Sequence, residues 1–121
     1  MWFEARMSQS AGGGASQPGA LEAVATLLVK SGFYEGLELP LDARQTIIGR
    51  GRGADIVLAE PTISREHAVI GRDSEGWYVK DLGSTNGSFA NGSRFERHLL
   101  KQGDEIVMGR LVVEVTLPEI S

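Results

Sequence analysis

Apolar positions along this chain fall in short runs, and from residue 25 onward a cluster of Gly, Asn, Asp, Ser or Pro interrupts them roughly every eight to twelve residues. Several runs alternate apolar and polar positions, as half-buried strands do. The pattern predicts strands over 25–31, 36–41, 45–50, 55–59, 67–72, 77–82, 88–90, 104–109 and 111–117. Residues 21–29, LEAVATLLV, fit two patterns. Leu21, Val24, Ala25 and Leu28 line one face of a helix, whereas 25–30 also suits a strand; the strand is preferred because everything downstream is strand-like. No segment after residue 30 carries a helical period, and no repeat of fixed spacing is present. Many short strands with frequent glycine breaks predict an all-β sandwich or barrel. Ahead of them, residues 7–20 (MSQSAGGGASQPGA) offer nothing that builds a core. The expected partition is a flexible Gly/Ser-rich N-terminal tail over 1–22 and one domain over 23–119.

Composition narrows the function classes. The 121 residues are enough for one core. With no cysteine, disulfide frameworks, cysteine nucleophiles and thiolate metal sites are excluded, and a reducing compartment fits. The net charge of −4 opposes whole-surface attraction to nucleic acid or anionic lipid, while leaving room for a local basic patch. No apolar run reaches membrane-spanning length, and the first residues lack a basic start followed by an apolar stretch, so the expected location is cytoplasmic.

The stretch DLGSTNGSFANG, residues 81–92, holds two Asn-Gly pairs. One such pair closes a hairpin, so the second asks for another role, and beside it stand Ser84, Thr85 and Asn86. Two further loops, GRGRGAD over 49–55 and EPTISREH over 60–67, each carry arginine among small or hydroxyl residues. Guanidinium, hydroxyl and amide donors are what a phosphate needs, and adjacent glycines let a ligand backbone come close.

Taken in order, Gly49-Arg50, Ser64-Arg65-x-His67, Ser84-Thr85-Asn86-Gly87, Asn91-Gly92 and Gly103-Asp104 ahead of Ile106 and Gly109 resemble the forkhead-associated (FHA) domain, across residues 26–117. Each piece alone is common; all five in sequence are specific. The resemblance implies a β-sandwich of about eleven strands in two twisted, antiparallel or mixed sheets, whose loops at one end bind phosphothreonine peptides. It implies that Arg50 binds the phosphate, that Ser64 and Thr85 hydrogen-bond it, that Arg65 touches phosphate or peptide backbone, and that Asn86 holds the peptide main chain just after the phosphothreonine. Arg52 and Ser84 would be accessory. Gly49, His67, Gly87, Asn91 and Gly92 would be structural support, His67 bracing the loops from behind. Ser88 and Ala90 depart mildly from the family, where Thr and Val are common. The implied partners are a phosphothreonine protein and an upstream Ser/Thr kinase, with no nucleic acid, membrane, metal or cofactor. Some members of the family are controlled by a phosphothreonine in their own tail; residues 1–25 here contain no threonine, so no such switch is expected.

Plainer readings exist for each residue alone. Arg50 fits an exposed strand end, and Ser64, Thr85 and Asn86 fit local turn chemistry; only the joint motif favours phosphate. His98 has no pattern that gives it a function, and at least one of Trp77 and Tyr78 should pack in the core. Enzyme readings fail on specifics. Ser64, His67 and Asp81 lack a nucleophile elbow, and two histidines without cysteine make no zinc pattern. GRGRGAD precedes a strand where a dinucleotide fingerprint needs a helix. The expectation is a non-catalytic phosphothreonine-dependent binding module, the alternative being a phosphate-independent interaction or oligomerisation surface on the same sandwich.

Overall fold

The computed structural model describes residues 24–118, so the expected tail over 1–22 lies outside the described residues. Eleven strands occur: β1 (Ala25–Val29), β2 (Glu38–Leu41), β3 (Gln45–Gly49), β4 (Ile56–Val57), β5 (Ala68–Asp73), β6 (Gly76–Asp81), β7 (Ser88–Ala90), β8 (Ser93–Phe95), β9 (Arg97–Leu99), β10 (Glu105–Met108) and β11 (Leu111–Thr116). They form two sheets, one of six strands in the order β2-β1-β11-β10-β7-β8 and one of five in the order β4-β3-β5-β6-β9. Every pairing is antiparallel except β3 with β4. Residues 25–29 are strand, which resolves the helix-or-strand ambiguity of that segment.

Period-two burial makes the sandwich. Along β1 and β11 alternate residues are buried, putting Ala25, Leu27 and Val29 beside Leu111, Val113 and Val115 on one inner face. Ile48, Ile56, Ile70 and Val79 of the other sheet meet them in a single core that also takes Leu58, Ile63, Ile106 and Met108. Of the aromatic pair opening β6, Trp77 is the core residue. Tyr78 lies on the outer face, where its hydroxyl accepts a hydrogen bond from Gln45 Nε2 (2.9 Å) and Arg97 covers its ring.

Nine strands follow from the hydrophobic pattern; β8 and β9 do not. Each is three residues long, polar, largely exposed and at a sheet edge, so neither displays a buried face for periodicity to detect. Between them the chain passes from one sheet to the other at Glu96, whose carbonyl accepts from Asp81 N–H (2.9 Å).

The two Asn-Gly pairs have different jobs. Asn91 and Gly92 both have positive φ (50° and 91°), forming the two-residue turn that pairs Ala90 with Ser93. Asn86-Gly87 ends the segment from β6 to β7, which crosses between sheets and is therefore a loop rather than a hairpin. The Asn91 side chain also ties its turn to β10. Its Nδ2 donates to buried Asp104 Oδ1 (2.9 Å) and its Oδ1 accepts from Glu105 N–H (2.9 Å).

Replacing Asn91 with alanine removes both bonds and puts a Cβ-bearing residue without amide compensation at positive φ. The expected cost is about 1–3 kcal/mol, read as a lower urea midpoint with unchanged slope.

Candidate functional site

Three inter-strand segments converge at one end of the sandwich: 50–55 after β3, 58–67 before β5 and 82–87 after β6. Backbone bonds join the first two, Arg50 N–H donating to Ser64 O (3.0 Å) and Gly51 N–H to Arg65 O (3.1 Å). The approach is so close that a Cβ on Gly49 would collide with the Arg65 carbonyl, and one on Gly51 would come 2.9 Å from the Arg65 Cβ. Glycine at 49 is required by this contact rather than by its φ.

The second and third segments are joined by side chains. Thr85 N–H donates to Ser64 Oγ (3.0 Å), and Asn86 Nδ2 donates to Thr62 O (2.8 Å). His67 lies behind them, fully buried. Ser64 N–H donates to its Nδ1 (3.0 Å), and its Nε2–H donates to Gly87 O (2.9 Å). A backbone N–H can only donate and a carbonyl can only accept, so the two partners fix the neutral Nε2–H tautomer. Burial lowers the His67 pKa from its ordinary value, outweighing the Gly87 bond and the Asp81 charge, which act to raise it. Histidine 67 is thus neutral at pH 7.

Asp81, at the end of β6, organises the third segment. Its Oδ2 accepts from Gly83 N–H (3.0 Å) and Ser84 N–H (2.9 Å); its Oδ1 accepts from the hydroxyls of Ser84 and buried Ser88, both at 2.6 Å. Burial alone would raise the Asp81 pKa, but these hydrogen bonds and nearby His67 hold it below the ordinary carboxylate value. Ser84 Oγ also accepts from Gly87 N–H (2.9 Å), so this hydroxyl is engaged inside the loop.

The outward groups make the candidate surface. Arg50, Arg52, Arg65, Thr85 and Asn86 are exposed, and Ser64 is half-buried between them. Arg50 Nε–H donates to Ile63 O (2.9 Å), which aims the guanidinium while its two terminal nitrogens have no protein partner among the described residues. The hydroxyl of Thr85 and the guanidinium of Arg52 have none there either. Arg50, Ser64, Arg65, Thr85 and Asn86 therefore share one rim. Arg52 stands at the tip of its loop, whereas Asn91 and Gly92 lie in the β7–β8 hairpin, outside the three converging segments. Such a surface concentrates cationic and hydroxyl donors and suits an anion with several acceptor oxygens.

Four contributors escape a reading of the motifs. Asp81 is announced by Asp81-x-Gly83-Ser84, a spacing at which a carboxylate caps the following backbone. Ser88 looks like an ordinary strand residue until its burial beside Asp81 is seen. Thr62 matters through its carbonyl, which composition cannot reveal. Arg94 of β8 lies over Gly87, where a Cβ would come 2.9 Å from its Nε. Among the described residues no cluster of His, Cys, Asp or Glu could hold a metal ion, and no helix is long and apolar enough to cross a membrane.

Because native His67 has a lowered pKa, the unfolded chain takes up the proton first as pH falls. The His67 contribution to stability is complete above pH 6.5 and declines below it towards the native value. Urea unfolding between pH 7.5 and 5.5 should show this loss, with a slope of at most about 1.4 kcal/mol per pH unit from one proton. His67→Gln, which can still accept and donate but cannot titrate, should flatten it.

Comparison with known proteins agrees with this geometry. The FHA domain family model matches residues 46–109. An oxoglutarate dehydrogenase inhibitor of Corynebacterium jeikeium is 38% identical over 92 residues, covering 76% of this chain and 64% of the inhibitor. The glycogen accumulation regulator GarA of Mycobacterium tuberculosis is 36% identical over 86 residues, covering 71% of this chain and 53% of the regulator. This chain thus spans less than two thirds of either relative. A structure from work on phosphothreonine-dependent FHA domain interactions superposes with a TM-score of 0.72 at 31% identity, covering 80% of this chain and 99% of that one. Mycobacterium tuberculosis EmbR, solved in complex with a low-affinity phosphopeptide, gives 0.70 at 33% identity over 82% of this chain and 26% of EmbR. These relatives are named as inhibitors or regulators and the family is a binding module, not a catalytic one. The chain belongs to the forkhead-associated domain family.

Proposed function

We propose that the rim formed by Arg50, Ser64, Arg65, Thr85 and Asn86 binds phosphothreonine in partner proteins and performs no chemistry on them. The observation that carries this reading is the Ser64–Thr85 contact, which gathers the donors while leaving the terminal nitrogens of Arg50 and the Thr85 hydroxyl without protein partners among the described residues. Arg50 makes the charged contact with phosphate, and the Ser64 and Thr85 hydroxyls complete it. Arg65 covers its outer side. Asn86, oriented by Thr62, holds the peptide main chain. Arg52 adds charge at the loop tip. Ser84, Gly49, His67 and Gly87 serve by shaping the loops, and Asn91 with Gly92 by fixing the hairpin beyond them.

Phosphorylation adds about −1.5 to −2 charges and three strong acceptor oxygens. Unmodified threonine offers this surface almost nothing. The module therefore works downstream of a Ser/Thr protein kinase, in the cytoplasm, holding a phosphorylated partner without a cofactor. That relatives are named for inhibiting oxoglutarate dehydrogenase or regulating glycogen accumulation favours metabolic enzymes as partners.

Fluorescence-anisotropy titration should show binding to degenerate phosphothreonine peptides and little or none to phosphoserine or unmodified ones. Arg50→Ala should weaken it by about 2–5 kcal/mol, the cost of removing one partner of a desolvated charge pair. Binding indifferent to both phosphate and Arg50 would overturn the proposal and favour a phosphate-independent interaction surface.

A further inference from the structure

The outer face of the five-stranded sheet takes no part in the rim. The registers of β3, β5, β6 and β9 put Ile47, Val69, Lys80 and Arg97 in one row across it, and Gln45, Gly71, Tyr78 and Leu99 in the next. The solvated face of an antiparallel sheet is ordinarily polar, yet Ile47, Val69, Tyr78 and Leu99 stand on this one. Two of the three exposed large apolar side chains among the described residues border it, Leu82 at 37% exposure and Leu99 at 42%. Side chains from both rows, with Asp73 and Leu82, line an open groove of about 410 Å³.

The aromatic group at the centre of this face is fixed in advance. The Tyr78 ring lies across Gly71, where a Cβ would come 2.5 Å from the Tyr78 hydroxyl. Gln45 holds that hydroxyl, and the Arg97 guanidinium sits 4.5 Å from the ring centroid while donating to Asp73 Oδ2 (2.9 Å). Groups already held in place lose little freedom when a partner covers them, and Tyr and Arg are residue types that carry binding energy at interface centres. The charges are unevenly satisfied. Asp73, the acid of the lining, is engaged at both oxygens, since its Oδ1 accepts from Glu75 N–H (2.8 Å). Lys80, between Val69 and Arg97, is exposed, and its ammonium has neither a hydrogen bond nor an ion pair among the described residues.

We propose that this sheet face docks the folded body of the phosphorylated partner, through an apolar patch carrying a carboxylate that pairs with Lys80. The inference rests on the phosphothreonine reading above and adds a second contact to it, one that needs no phosphate. Continuity with the rim supports it. Leu82 belongs both to this groove and to the segment that presents Thr85, and its N–H donates to the His67 carbonyl (2.9 Å). Leu82 and Thr85 are three residues apart, at most about 11 Å, whereas a stable protein–protein interface covers about 800 Å² on each partner. A folded protein whose phosphothreonine sits at the rim can therefore cover the sheet face as well. Charge decides between such a partner and a second copy of this chain. Two copies of the face would set Lys80 and Arg97 against a surface whose lining carboxylate is already taken. A carboxylate on another protein supplies the partner that Lys80 lacks.

The test starts from a phosphoprotein of the source cells that the wild-type chain retains and Arg50→Ala does not, identified by mass spectrometry and purified. That whole protein and its isolated phosphothreonine peptide are each titrated against wild type, Lys80→Glu, and Lys80→Glu combined with Leu99→Asp. Both positions are exposed and lie outside the rim. The whole protein should bind wild type about tenfold or more tighter than its peptide does. Lys80→Glu should reduce that advantage and the double variant should abolish it, while both bind the peptide as wild type does, which shows that they are folded. Equal affinities of protein and peptide for wild type, or an advantage that the double variant keeps, would overturn this inference alone. Sedimentation showing a wild-type dimer that the double variant abolishes would give the face to a second copy and overturn it too. If no phosphoprotein is retained in an Arg50-dependent manner, the reading beneath falls and this inference falls with it.

Discussion

One buried imidazole holds the loop end of this sandwich together. His67 accepts from the Ser64 N–H and donates to the Gly87 carbonyl, so one side chain sets the spacing between two loops that come from different parts of the sequence. The Ser64–Thr85 and Asn86–Thr62 contacts depend on that spacing. A charged imidazole cannot substitute: a proton on Nδ1 would face the Ser64 N–H, donor against donor. Burial keeps the ring neutral, and burial is provided by the core below it.

The sandwich supplies a frame that its loops need in order to bind anything. Residues 60–67 and 82–87 have no regular structure, yet their polar groups are largely spoken for by Glu60, Asp81, Ser84, His67 and one another. Among the described residues no buried side-chain polar atom lacks a hydrogen bond. Loops ordered before a ligand arrives lose less entropy on binding, so more of the interaction energy appears as affinity. What remains uncommitted at the rim is chemically selective: guanidinium nitrogens and one hydroxyl, which favour an anion over a neutral group.

Much of this was legible in the sequence, for identifiable reasons. Strands β1, β3, β6, β10 and β11 bury alternate residues, and that leaves a period-two trace. The loop motifs were legible because glycine at 49, where β3 passes the Arg65 carbonyl, and Asn-Gly at 91–92, where φ is positive, answer local demands that few residues meet. Strands β8 and β9 were not, since short exposed edge strands carry no hydrophobic signal. Asp81 left a trace in the Asp81-x-Gly83-Ser84 spacing, but the parts played by Ser88 and Thr62 were hidden for another reason. Their partners come from the fold, and in the case of Thr62 the functional atom belongs to the backbone.

Residues 60–66 thus serve two neighbours at once, the arginine loop before them and the Thr85 loop after them, with His67 as the common fastening. The most direct test is a long-range 1H–15N correlation spectrum of the histidine rings, recorded from pH 7.5 down to 5.5. The account predicts that His67 shows the Nε2–H neutral tautomer at neutral pH and protonates only at a pH below the ordinary histidine value. A ring in the Nδ1–H tautomer, or one that titrates like a free histidine near 6.5, would contradict it.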